Sequence, residues 1–174
     1  MVKHSKLLLD PPESSVFSQP QSNKLIIVLW AAQFDPVAAA IFVAELRKLD
    51  LHVKIVSLSM QKMQGNNGLA LYHDMTLGEA FHMIEKISGV IVPCRLAGAQ
   101  YFRNDPRASR LFREVSLNNI PIVIGHMDQK TLRTLRLFPK EMIDDLILYP
   151  NIEDLIEFAH HLANSFWLPP KQEM

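Results

Sequence analysis

The sequence predicts an α/β fold, a three-layer sandwich with a mostly parallel sheet. Three observations predict it. Short, wholly apolar runs recur at residues 25–29, 89–93 and 120–124, as strands buried on both faces require. Helix-opening signals stand between them, at Pro36, at Thr76 with Glu79, and at Asp105-Pro106. Strands alternating with helices give crossover connections and therefore parallel neighbours.

The elements follow in order. Residues 1–23 are rich in Ser, Gln and Pro and read as a flexible tail. One domain spans residues 24–166, and residues 167–174 read as a second tail. Leu25-Ile-Ile-Val-Leu29 is the first strand. Pro36 opens a helix to about Leu49, with Val37, Ala40, Ile41, Ala44 and Leu46 as its expected apolar side. Residues 52–57 alternate and form a second strand. Asn67-Gly68 is a tight-turn signal for a small inserted hairpin that returns over residues 69–73. The capping box at Thr76 opens a helix to about Lys86. Residues 89–93 form the next strand. Asp105-Pro106 starts a helix with Leu111, Phe112 and Val115 inward, ended by Asn118-Asn119. The strand at 120–124 follows, then a helix over 129–137 and a short strand at 146–149. A final amphipathic helix spans 152–166, with Leu155, Ile156, Ala159, Leu162 and Phe166 inward.

Composition narrows the class. With 48% hydrophobic residues in 174, the chain can bury a sizeable single core. No apolar run is long enough to span a bilayer, and the N-terminal Leu7-Leu8-Leu9 is too short for a secretory segment. A single cysteine rules out an internal disulfide and fits a reducing compartment, so the expected location is the cytoplasm. Net charge is zero but uneven: residues 94–140 carry a net +6 and residues 141–174 a net −6. Those segments can pair within the fold or between subunits, or lie on unrelated solvated faces.

Ligand sites in parallel sheets lie at the carboxyl ends of the strands. Four segments meet that description: 31–35, 57–60, 93–100 and 125–129. The most informative stretch is Ile120-Pro-Ile-Val-Ile-Gly-His-Met-Asp-Gln129, a buried strand running into a turn and a helix. In many α/β enzymes such a turn presents a nucleophile. Here the position holds Gly125, with no side chain, and His126 beside it.

From Lys24 to Leu137 the chain resembles the PfpI-type branch of the class I glutamine-amidotransferase-like superfamily, which has a flavodoxin-like sheet. The resemblance rests on the order of elements and on four stretches. These are Trp30-Ala-Ala-Gln-Phe-Asp-Pro-Val-Ala38, the hairpin with Gly68 followed by Asp74-Met-Thr-Leu77, Val90-Ile-Val-Pro-Cys-Arg-Leu-Ala-Gly-Ala-Gln100, and Ile122-Val-Ile-Gly-His-Met-Asp-Gln129. The family's nucleophilic Cys matches Gly125. Its paired acids match Asp35 and Ala38, so one is lost. Its Gly-Gly oxyanion turn becomes Cys94-Arg95, and the Gly-Pro of its elbow becomes Met127-Asp128. Only His126 is retained.

A thiolate, the carboxylate that poises it and an oxyanion site work as one unit, and removing one member costs orders of magnitude in rate. The resemblance therefore implies a non-catalytic binding, stress-related or regulatory module without a cofactor, in a family whose members are commonly homodimers. Two alternatives stay open. One is an active hydrolase or deglycase using His126, Asp35 or Cys94. The other is a structural subunit that pairs through the oppositely charged segments.

Each candidate residue has a simpler reading. Cys94 with Arg95 beside it can be a relocated thiol whose pKa the cation lowers, or a structural cysteine. His126 with Asp35 can be a general base, or a histidine bonded to nearby backbone. The seven histidines show no His-x-x-x-His spacing, and no metal site is expected. Arg103, Arg107 and Arg110, at i, i+4 and i+7, form one helical stripe with Arg95 nearby, able to hold an anion or to face solvent or a subunit. Few aromatics interleave with that stripe, so nucleic acid is not the expected partner. No phosphate-loop or dinucleotide glycine pattern occurs.

Overall fold

The computed structural model describes residues 24–125 and 127–168. Six strands form one sheet: β1 (Leu25–Trp30), β2 (Val53–Ser57), β5 (Met75–Thr76), β6 (Ile87–Val92), β7 (Ile122–Gly125) and β8 (Ile147–Tyr149). Their order is β5-β2-β1-β6-β7-β8, and every neighbouring pair is parallel. Setting aside the two-residue edge strand β5, this is the flavodoxin-like order. The inserted hairpin is present as β3 (Met63–Gln64) and β4 (Ala70–Leu71), paired antiparallel.

Alternation along β1 builds both layers of the core. Leu25, Ile27 and Leu29 pack into one cluster, while Ile26, Val28 and Trp30 pack into the other. α1 (Pro36–Lys48) and α6 (Leu155–Phe166) cover the Trp30 face. α2 (Leu77–Ala80), α3 (Leu96–Arg103), α4 (Pro106–Leu117) and α5 (Gln129–Leu135) cover the other. The expected capping box is present: Thr76 Oγ1 accepts from the Glu79 amide at 3.3 Å, and the Glu79 carboxylate accepts from the Thr76 amide at 2.7 Å. The helix it opens lasts one turn and continues as a 3-10 segment to Lys86.

Four expectations are corrected. The buried side of α1 is Ala38, Ala39, Phe42 and Leu46, whereas Val37 and Ala44 face outward. Apolar residues surround this helix, so spacing alone cannot choose a face. Phe42 decides it by packing edge-on against Tyr149 and Phe158. On α6, Ile156 and Phe166 are half exposed, and Ala163 is buried instead. Residues 96–103 form α3, a helix that the sequence pattern does not announce because Gly98 weakens helix propensity. Finally, the folded part does not stop at residue 166: Trp167 Nε1 donates to the Ser88 carbonyl at 2.9 Å, its indole covers Gly89, and Leu168 packs on the same cluster.

Candidate functional site

The four segments singled out in the sequence follow β1, β2, β6 and β7 at the carboxyl edge of the parallel sheet, and backbone hydrogen bonds tie the first of them to its neighbours. The Asp35 amide donates to the Pro93 carbonyl at 2.7 Å. The Gln33 amide donates to the Gln64 carbonyl, and the Asn66 amide to the Phe34 carbonyl, each at 2.9 Å. The loop after β1 is thus clamped between the loop after β6 and the hairpin. Gly98 lets α3 approach this clamp: a Cβ there would lie 2.7 Å from Cys94 Cβ and 2.8 Å from the Gln33 carbonyl oxygen.

Gly125 ends β7, in register with Tyr149 of β8. A Cβ at this position would collide with the Cys94 carbonyl oxygen and stand 3.0 Å from Tyr149 Oη. The place that any side chain at this position would need is therefore occupied by neighbouring backbone. Trp30 and Phe34 stack with ring centroids 4.5 Å apart, both wholly buried, and Met127 is packed into the opposite core layer.

Asp35 is buried, and its Oδ1 caps α1, accepting from the Val37 and Ala38 amides at 3.1 and 3.0 Å. Ala38 is wholly buried, on the sheet-facing side of α1. Cys94 is 1% exposed. Burial first, and the Asp35 carboxylate second, push its thiol far above the ordinary range, so it stays protonated at neutral pH. The expectation that Arg95 lowers this pKa is reversed: Arg95 is exposed at the start of α3, and burial dominates. Burial, then Asp35 and Cys94, likewise hold the Tyr149 phenol in its neutral form. Tyr149 Oη and Trp30 Nε1 are buried without hydrogen-bond partners among the described residues. His126 lies outside the described residues.

The arginine stripe does not form as one helix. Asn104 closes α3 and Asp105 caps α4, which leaves Arg103 on the first helix and Arg107 and Arg110 on the second. Arg107 is committed elsewhere: it pairs with Asp105 at 2.7 Å and donates to the Leu58 carbonyl at 2.7 Å. Arg110 lies over the Phe81 ring. Among the described residues no three His, Cys, Asp or Glu side chains converge as a metal site would require. No described helix is long and apolar enough to cross a membrane.

Sequence reasoning missed Tyr149 and Gly98. Their part depends on register and on the approach of α3, which no local spacing reports.

No protein-family model matches the chain, and no curated protein matches it. Solved structures do. Drosophila melanogaster DJ-1beta superposes with a TM-score of 0.68 at 15% identity, over 82% of this chain and 90% of that one. Oxidized Toxoplasma gondii DJ-1 gives 0.67 at 16% identity over the same shares. Schizosaccharomyces pombe DJ-1 gives 0.65 at 12%, over 83% and 92%.

The chain has the DJ-1/PfpI-type fold. The resemblance drawn from the sequence thus holds at the level of architecture, with the flavodoxin-like sheet and the inserted hairpin in place.

Proposed function

We propose that the protein is a non-catalytic PfpI-like protein that works as a binding or regulatory module, with stress-related roles within that class. The observation that carries this reading is Gly125: the position matched to the family nucleophile has no side chain and no room for one. Two further features support it. The one cysteine is buried and protonated. Asp35, the carboxylate matched to one of the family's paired acids, is engaged in capping a helix.

Turnover of methylglyoxal and of generic esters tests the reading. The expected outcome is no rate above buffer for the wild type. A rate that disappears in Cys94→Ser or His126→Ala overturns it in favour of an active hydrolase or deglycase.

The same reading includes a cytoplasmic homodimer, supported by the lone thiol and by the family resemblance. Among the described residues, Arg133–Asp144 at 3.2 Å is the one ion pair that joins the cationic and anionic segments, and most of their described charges are available to pair between copies. Size exclusion is expected to give a dimer at low salt that loosens at high salt. A monomer at both salts removes the dimer and the idea of charge-paired subunits with it.

A further inference from the structure

The cations of the basic segment are not evenly spread. α3 and α5 pack side by side, and between them runs a groove of about 650 Å³ that adjoins a second of about 780 Å³. Arg103, Lys130 and Thr134 line both, and Arg133 and Arg136 extend the second. Among the described residues, Arg103, Lys130 and Arg136 make no side-chain hydrogen bond or ion pair. Arg133 has one contact, with the largely exposed Asp144. The single carboxylate in the lining is Asp128, and it is already used: its oxygens accept from the Thr131 amide at 2.8 Å and from Thr131 Oγ1 at 2.7 Å. Asp128 keeps its negative charge, but four cations line the two grooves against this one lining carboxylate, and the excess focuses the field and favours an anion there.

The groove has two characters. At the α5 end it is cationic, with three guanidinium groups, which bind phosphate oxygens in a bidentate fashion. Its other part is less charged: the half-exposed Leu96 and the edge of the nearly buried Leu135 give it apolar surface, flanked by the side-chain amides of Gln100 and Asn104. An inorganic anion would use only the first half. An extended polyanion meets a barrier beyond α5. The 3-10 segment over residues 140–145 packs there and carries Glu141, Asp144 and Asp145, none of them buried.

We propose that this groove binds a phosphorylated small molecule. Its phosphate lies between Arg103 and the cations of α5, and its uncharged body lies on Leu96 and Leu135. The site adjoins the Gly125 turn through Asp128 and Gln129, but its cations lie on α3 and α5 and it does not depend on whether that turn is inert.

Calorimetric titration of the full chain at low ionic strength tests it, with inorganic phosphate, ribose 5-phosphate, uncharged ribose and a short DNA duplex as probes. Ribose 5-phosphate is expected to bind more tightly than inorganic phosphate, and ribose not at all. Arg103→Gln and Lys130→Gln are each expected to weaken ribose 5-phosphate by about tenfold, the size of one lost charge-assisted contact. Arg110→Gln, on α4, is expected to leave binding unchanged. Melting curves check that all three variants remain folded. The proposal fails if no phosphate compound binds, or if Arg103→Gln and Lys130→Gln bind like wild type. It also fails if inorganic phosphate matches ribose 5-phosphate, or if the DNA duplex binds more tightly than either.

Discussion

Two regions at the carboxyl edge of one sheet have opposite character. Between the ends of β6 and β7, the Cys94 carbonyl, Gly125 and Tyr149 meet in a closed, buried contact. Just outside it, where α3 leaves β6 and α5 follows β7, the surface opens into a cationic groove. Both regions hang on the same strands, so the sheet does not dictate which is used. Side-chain volume does: a glycine lets the backbone of one strand end close on the next, while long cations on the two helices leave space between them. One sheet edge can therefore carry a closed contact and an open groove side by side.

The sharpest way to break this comparison is to restore a side chain at the closed position. Gly125→Cys is expected to destabilise the protein by about 3 kcal/mol or more, because the clash is with backbone that no rotamer change relieves. Denaturant unfolding measures it. A variant as stable as wild type that reacts readily with a thiol reagent would mean that the turn is open in solution.

A smaller effect is expected at the junction of the two helices that separate the arginines. Asp105 caps α4 by accepting from the Arg107 amide at 2.9 Å, and Asp105→Ala is expected to cost about 1 kcal/mol. The Arg107 side chain first, with its amide also contributing, holds the Asp105 carboxyl below the ordinary range. A carboxyl lowered in the folded state stabilises fully above its unfolded value, about pH 4. That contribution is lost as pH falls through the lower folded value. The difference in melting temperature between wild type and Asp105→Asn is thus expected to shrink on acidification below about pH 4. A difference that holds constant down to strong acid would mean that Arg107 is not held by this pairing in solution.

The smallest effect is expected in the open region. Arg103→Gln is expected to change stability by less than about 0.5 kcal/mol, since the side chain is exposed and holds no structural bond. A larger loss, read from the same unfolding curves, would make Arg103 a structural residue rather than a free groove cation.

Much of the fold was legible in the sequence because its signals are local. Apolar runs marked β1, β6 and β7, Pro36 and Asp105-Pro106 marked the starts of α1 and α4, and Thr76 with Glu79 marked α2. That the turn after β7 has no side chain at position 125 was legible too, since the residue there is a glycine. What stayed hidden involved choices among equivalents. α1 is apolar nearly all round, so its face was settled only by Phe42 against Tyr149. α3 contains a glycine that weakens it as an isolated helix, and it forms because Gly98, Ala99 and Phe102 are buried in the fold.

The site divides in the same way. Sequence alone determined that Gly125 bears no reactive atom, that only one thiol exists, and that cations gather in residues 94–140. Tertiary structure decided what those facts amount to. Register set Tyr149 beside Gly125, and burial with Asp35 kept Cys94 protonated. The break at Asn104 parted Arg103 from Arg107 and placed it in one groove with Lys130 of α5. The physical reason is reach: residue type and spacing act over one turn or one strand, whereas a site is made where distant segments are forced together by the burial of a shared core.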